Sequence, residues 1–172
     1  QKSAVQSQQE GELLFRSFVQ QNINGIILVD PQGNVVEWNA NIKKMFGGIS
    51  EDMIGLKVWE MQFRLDREEN PTPERRTYVE EAYKEILRTG TVPERIQSME
   101  SYVTRDDGTQ IFVEQKVFII KTNKANWLGV LVKDLTERKQ AEDILRTNEQ
   151  RYRALYEHTN DAAFMISLEG NL

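Results

Sequence analysis

The sequence predicts an α+β fold: a two-stranded hairpin, several short helices and a three-stranded antiparallel meander, followed by one long helix. Three observations carry this. Two β-branched runs, residues 26–29 and 35–38, flank Asp30-Pro31-Gln32-Gly33-Asn34, a Pro/Gly turn of hairpin type. Three further strand-like stretches, residues 96–104, 110–121 and 127–132, are joined by short polar turns. Residues 136–158 contain neither Gly nor Pro and are rich in Glu, Arg, Lys, Gln and Ala, so helix is the state they favour.

Residues 1–11 read as an incoming linker or helix, polar and Gln-rich, with Val5 the only large apolar side chain among residues 1–9. From Glu12 onward Leu13, Leu14, Phe15, Phe18 and Val19 recur at helical spacing, an amphipathic helix ending near residues 22–25. After the hairpin, Asn39 can cap a short helix carrying Ile42, Met45 and Phe46, ended by Gly47-Gly48. Ser50-Glu51-Asp52 places a cap and two acids at the start of another, closed by Gly55. Residues 64–76 mix Arg, Asp and Glu around Pro71 and Pro73, the composition of a solvated loop. Tyr78/Val79, Ala82/Tyr83 and Ile86/Leu87 then return at three- and four-residue spacing, a helix stopped by Gly90 and Pro93. In the meander, Asp106-Asp107-Gly108-Thr109 looks at first like a pair of catalytic acids, but hairpin turn chemistry accounts for it.

Composition removes whole classes of function. The net charge is −5, from 22 basic and 27 acidic residues intermixed along the chain, so no nucleic-acid footprint is present. With no cysteine and one histidine, His158, a disulfide, a thiolate metal site, a thiol nucleophile or a two-imidazole metal site cannot be built by one chain. No apolar run approaches a membrane span, so no membrane contact is expected of this segment. Neither a G-x-x-x-x-G-K nor a G-x-G-x-x-G nucleotide loop occurs, and the chain is not expected to be an enzyme.

The end of the sequence repeats its beginning. When Tyr152-Arg153 is laid on Phe15-Arg16, Ala163-Phe164-Met165-Ile166 falls on residues 26–29 and Gly170-Asn171 on Gly33-Asn34, without a gap. The predicted organisation is therefore one domain over residues 12–136, a connecting helix over 137–158, and from 152 to 172 the truncated start of a second copy, both ends looking cut from a longer protein. On the connecting helix Ala141, Leu145, Asn148, Tyr152 and Leu155 form a heptad seam about two heptads long, the pattern of a dimer contact. Ala162 to Ile166 reads as an apolar strand lacking its sheet, expected to pack on a neighbouring chain or a sheet edge.

Taken in order, residues 24–30, residues 33–39, Met45-Phe46-Gly47, Arg105-Asp106-Asp107-Gly108 and Asp134-Leu135-Thr136-Glu137-Arg138-Lys139 resemble the PAS domain family. The resemblance covers nearly all of residues 12–139. It implies a PAS-like five-stranded antiparallel sheet with short helices on one face and a C-terminal output helix, in a multi-domain receptor such as a sensor histidine kinase. It also implies that Asp134 and Thr136 join the last strand to the output helix, with Arg105 the natural partner of Asp134. Thr136 suits an N-cap and Glu137 the first turn.

The resemblance raises the question of a cofactor, whose identity the sequence leaves unknown. Histidine-ligated haem is disfavoured because residues 1–157 lack histidine, and cysteine-linked flavin because cysteine is absent; composition leaves non-covalent flavin open. Trp38, Trp59 and Trp127 fit core or strand positions better than an aromatic box. A ligand pocket, if formed, would draw on Met45, Phe46, Trp59 and Met61, on Phe63, Phe118 and Trp127, and also on Ile54, Met99 and Phe112, with Arg64 beside it. His158 lacks the sequence context of a phospho-acceptor.

Two functions remain. One is a cytoplasmic sensory module, a homodimer whose output helix relays a ligand- or partner-induced change to downstream PAS and kinase domains. The other is a dimerisation spacer that senses nothing.

Overall fold

The computed structural model describes residues 2–47, 53–68, 70–105 and 107–169. In chain order the elements are α1 (Lys2–Gln21), β1 (Gly25–Val29), β2 (Val35–Trp38), α2 (Ala40–Phe46), α3 (Val58–Leu65), α4 (Pro73–Thr89), α5 (Glu94–Gln97), β3 (Ser98–Thr104), β4 (Gln110–Lys121), β5 (Asn126–Asp134) and α6 (Thr136–Glu169). The chain divides into two compact units between Asp134 and Leu135.

In the first unit a local cause can be named for most of the elements. The β1–β2 turn is held by Asp30, whose carboxylate accepts from the Gln32 and Asn34 backbone N–H groups and from Asn34 Nδ2. Gly33 adopts φ 84° there, and a Cβ at this position would lie 2.6 Å from the Trp59 ring, so both conformation and space require glycine. Asn39 caps α2, accepting from Ile42 N–H at 3.1 Å. Thr72 caps α4 by accepting from Arg75 N–H, Pro73 opens that helix, and Gly90 closes it in the left-handed conformation with its N–H on Ile86 O. Asp107 accepts from both Thr109 N–H and Thr109 Oγ1–H, so this acid is engaged in its turn, and those bonds hold its carboxyl below the usual range.

The five strands form one antiparallel sheet in the order β2-β1-β5-β4-β3. β3, β4 and β5 are the predicted meander, and β5 then pairs with β1 (Ile27 opposite Val130, Val29 opposite Leu128), placing a hairpin from the start of the chain beside its last strand. Alternation fixes the faces: Val113, Val117, Leu128, Val130 and Val132 point to the side covered by helices, whereas Phe118 and Ile120 are exposed on the other. Phe118 lies across Gly129 of the neighbouring strand, where a Cβ would approach its ring to 2.5 Å. Ile27, Val29, Val35, Trp38, Ile42 and Val58 belong to the same core, each such side chain stabilising by roughly 1.5–3 kcal/mol on burial.

Several elements differ from the sequence expectation. Helix α1 reaches back to Lys2, and of the apolar residues from Leu13 to Val19 only Val19 is buried. Helix α3 occupies residues to which the sequence reading assigned no element, and its last two fall in the predicted charged loop. Trp59, Met61 and Phe63 alternate as in a strand, yet with Val58 they are all buried, over about 200° of the helix circumference at about 100° per residue. A helix enclosed on that much of its surface loses the narrow apolar stripe by which helices are recognised. The charged loop is correspondingly shorter, and α5 was not anticipated. Residues 54–56 turn the chain and Lys57 bridges to Asn34, so no helix forms there; the Ser50-Glu51-Asp52 cap and Gly48 lie outside the described residues, as does Asp106.

The second unit is α6, 34 residues, about 50 Å at 1.5 Å per residue. Arg138–Glu142 and Arg146–Asp143 pair along its surface. Its helix continues through residues 163–166, where a strand was expected. A strand needs partners for its N–H and C=O groups, whereas a helix satisfies them internally. The side chains from 158 onward, His158 and Ala162 to Ile166 included, lie outside the described residues.

Candidate functional site

Between the covered face of the sheet and helices α3, α4 and α5 lies a cavity of about 280 Å³. Its floor is aliphatic: Ile27 from β1, Val117 from β4, and Leu128, Val130 and Val132 from β5, with Val79 and Ile86 of α4 above. The floor follows from strand alternation and the roof from the i, i+4, i+7 spacing of Val79, Tyr83 and Ile86.

Its polar groups gather in two places. On the α3 side Tyr83 Oη–H donates to Gln62 Oε1 at 3.0 Å, and Gln62 Nε2 donates to both carboxylate oxygens of Asp66 at 3.0 Å. Tyr83 is only partly buried by area, but its hydroxyl end is enclosed; desolvation first, and then the negative charge of Asp66, push the phenol up to about 12. On the α4–α5 side Arg95 Nη2 donates to Tyr78 Oη at 3.2 Å, and that bond, followed by the Arg95 charge, lowers the Tyr78 pKa. Arg75 also lines the cavity and lies 3.6 Å from Glu68.

The residues predicted for a pocket are divided by the fold. Phe46, Met61 and Met99 line the cavity. Met45 and Phe63 are buried in the core but do not line it, and Ile54 is exposed. Trp59 faces a separate groove, with Lys57 and Lys84 ammonium groups 5.5 and 6.0 Å from its ring centroid. Phe118 and Trp127 stand on the opposite face of the sheet from the cavity, as does Phe112, which packs on Tyr102 at 4.8 Å between centroids. Arg64 is exposed.

Sequence reasoning missed Gln62, Arg75, Tyr78, Tyr83 and Arg95. The signal available was the pair of phenols, Tyr78 and Tyr83, inside the apolar repeat of α4, where each hydroxyl needs a polar partner; Arg75 read as part of the charged loop, and Gln62 and Arg95 carried no local signal. Missed also was Arg67, whose φ of 55° is unusual for a side-chain-bearing residue; its guanidinium donates to Thr104 O at 3.0 Å, tying the end of α3 to β3 beside the cavity.

Of the proposed transmission residues, Asp134 ends β5 opposite Val113 and Thr136 is the first residue of α6, with Lys139 N–H bonded to Leu135 O. Arg105 Nε donates to Met45 O at 2.7 Å, so this guanidinium fastens the end of β3 to α2. Along α6, Ala141, Leu145, Asn148, Tyr152 and Leu155 are all exposed. Among the described residues no cluster of three or more His, Cys, Asp or Glu is placed to hold a metal ion, and no helix is long and apolar enough to cross a membrane.

The PAS domain family model matches residues 23–137. Similar solved structures include the PAS domain of an HTR-like protein from Haloarcula marismortui, at 16% identity, covering 78% of this chain and 99% of that one, TM-score 0.50. The PAS domain of BvgS from Bordetella pertussis is similar at 16% identity, covering 83% of this chain and 98% of that one, TM-score 0.54. A sensory box histidine kinase/response regulator from Burkholderia thailandensis aligns at 19% identity over 81% of this chain and 98% of that one, TM-score 0.47. At such identities the likeness concerns the fold alone. No curated protein matches the chain significantly.

Proposed function

Because the chain belongs to the PAS domain family, we propose that it is a cytoplasmic sensory module that holds a small molecule in the cavity between sheet and helices. The observation that carries this reading is the cavity itself, about 280 Å³ with an aliphatic floor and a few polar groups at its edge, the usual make-up of a small-molecule site. An occupant that fits one arrangement of α3–α5 against the sheet better than another biases the equilibrium between them by that difference in affinity. The last strand, β5, contributes Leu128, Val130 and Val132 to the floor and runs to Asp134, next to the start of α6, so a change in its position is carried into the output helix. In the parent chain α6 hands the change to a downstream PAS copy and a histidine kinase, working as a homodimer joined along the Leu145–Tyr152–Leu155 seam.

Thermal unfolding of the chain across a panel of small metabolites tests the reading. A true ligand at 100 times its Kd stabilises by about 2.7 kcal/mol, roughly 5–10 °C for a chain of this size. Ala82→Trp, an exposed lining position on α4, blocks the mouth and should abolish the shift while leaving the unliganded Tm within a few degrees. No shift with any compound would leave the spacer function in its place.

A further inference from the structure

The charges around the cavity are unevenly matched, and this bears on what enters it. Asp66, the only carboxylate among the described lining residues, already accepts two hydrogen bonds from Gln62. Arg75 has Glu68 at 3.6 Å. Arg95 has no carboxylate within ion-pair distance among the described residues; its bond is to the neutral Tyr78 hydroxyl, where it serves as donor. That hydroxyl accepts from Arg95, so its own hydrogen is committed to none of the described residues. An N–H of Arg95 and the O–H of Tyr78 thus sit side by side at the edge of an aliphatic cavity. Two convergent donors, one of them charged, match a carboxylate. Tyr83, the other phenol, stays protonated at neutral pH and adds no negative charge that would repel such a group.

Resting on the reading above, we propose that the occupant is an amphipathic anion: an aliphatic body in the cavity and a single carboxylate at its edge, held by Arg95 and Tyr78. Size agrees. A cavity of about 150 Å³ accommodates benzene, so about 280 Å³ takes on the order of ten to twelve non-hydrogen atoms. A cation of the same shape would meet Arg75 and Arg95, and the one lining carboxylate, Asp66, lies on the α3 side away from Arg95, hydrogen-bonded to Gln62. A neutral molecule would fill the floor but leave Arg95 without a counter-charge.

Calorimetric titration of the chain with octanoate, 1-octanol and octylammonium separates these classes, since the three share one tail. Octanoate is expected to bind about tenfold more tightly than octanol, the worth of a charge-assisted hydrogen bond, and octylammonium more weakly than either. Arg95 is exposed, so Arg95→Gln leaves the core intact; it should bring octanoate to the affinity of octanol and leave octanol unchanged, with Tyr78→Phe giving part of the same loss. Equal binding of octanoate and octanol, tighter binding of octylammonium, or a preference that survives Arg95→Gln would overturn the anion while the cavity reading stands. If all three tails bind no better to the natural chain than to Ala82→Trp, the cavity reading fails, and the proposal with it.

Discussion

Asn39 is the buried polar side chain on which the most backbone depends, and its removal gives the sharpest test of how this fold is held. It is fully buried, and both ends of its amide are used. Its oxygen accepts from Ile26 N–H at 2.9 Å and Ile42 N–H at 3.1 Å; its nitrogen donates to Val19 O at 2.9 Å and Asn24 O at 3.0 Å. One side chain thereby joins the end of α1, the start of β1 and the start of α2. Asn39→Ala removes all four bonds and leaves the Val19 carbonyl and Ile42 N–H in a buried setting. At about 1 kcal/mol per bond, the cap included, the loss is about 4 kcal/mol. That is a large fraction of the 5–15 kcal/mol of a typical domain. Urea unfolding followed by tryptophan fluorescence should show a midpoint lower by about 2 M, for a slope of about 2 kcal/mol/M. Asn39→Asp separates the two ends of the amide, since it keeps both acceptor bonds but turns an oxygen towards two carbonyls. Burial and those carbonyls raise the folded-state pKa of the introduced carboxyl above the roughly 3.9 of the unfolded chain. Relative to the natural chain, the stability of this variant is therefore greatest below about pH 4 and is lost as pH rises towards the folded pKa. A loss under 1 kcal/mol for Asn39→Ala would show that Asn39 acts as a helix cap alone and that α1 is not anchored through it.

Tyr83 supplies an alkaline signature. Its folded pKa of about 12 lies above the ordinary 10, so the stability it contributes is whole below pH 10 and lost as pH climbs through 12. Allowing for its partial exposure, the decline is on the order of 2 kcal/mol. Tyr83→Phe should flatten the difference in unfolding free energy over that range; an unchanged slope would mean that the hydroxyl is solvated. The α6 seam is tested by mass in solution: with Leu145 and Leu155 exposed in one chain, 64% and 63% respectively, Leu145→Ser/Leu155→Ser should raise the dimer dissociation constant by at least tenfold. A dimer as tight as the original would move the interface elsewhere, the exposed Leu14 and Phe18 of α1 being next.

How much of this was legible beforehand depends on where each residue finds its partners. The Asp30–Asn34 turn, the Asn39 cap and the Gly90 stop answer to neighbours within a few positions, and the meander strands are marked by their own composition and the short turns between them, so the sequence alone determined them, and with them the fold class. Asn39 was readable as a cap from Ile42 three residues on, but not as an anchor for Val19, twenty residues back. Helix α3 was hidden because its burial comes from elements on several sides, erasing the stripe that marks a helix. The choice of which aromatics face the cavity was likewise out of reach. Phe118 and Val117 are adjacent in sequence and equally apolar, and only the pairing of β4 with β5 turns one outward and the other to the floor. Arg95 and Tyr78 are 17 residues apart, with Gly90 and Pro93 between them, and their hydrogen bond exists because the chain turns back after α4 to lay α5 beside it. Local hydrogen bonds and side-chain period settle what each segment becomes. Which faces meet, and so what the cavity can hold, is settled only when β5 takes its place beside β1 and the helices close over the sheet.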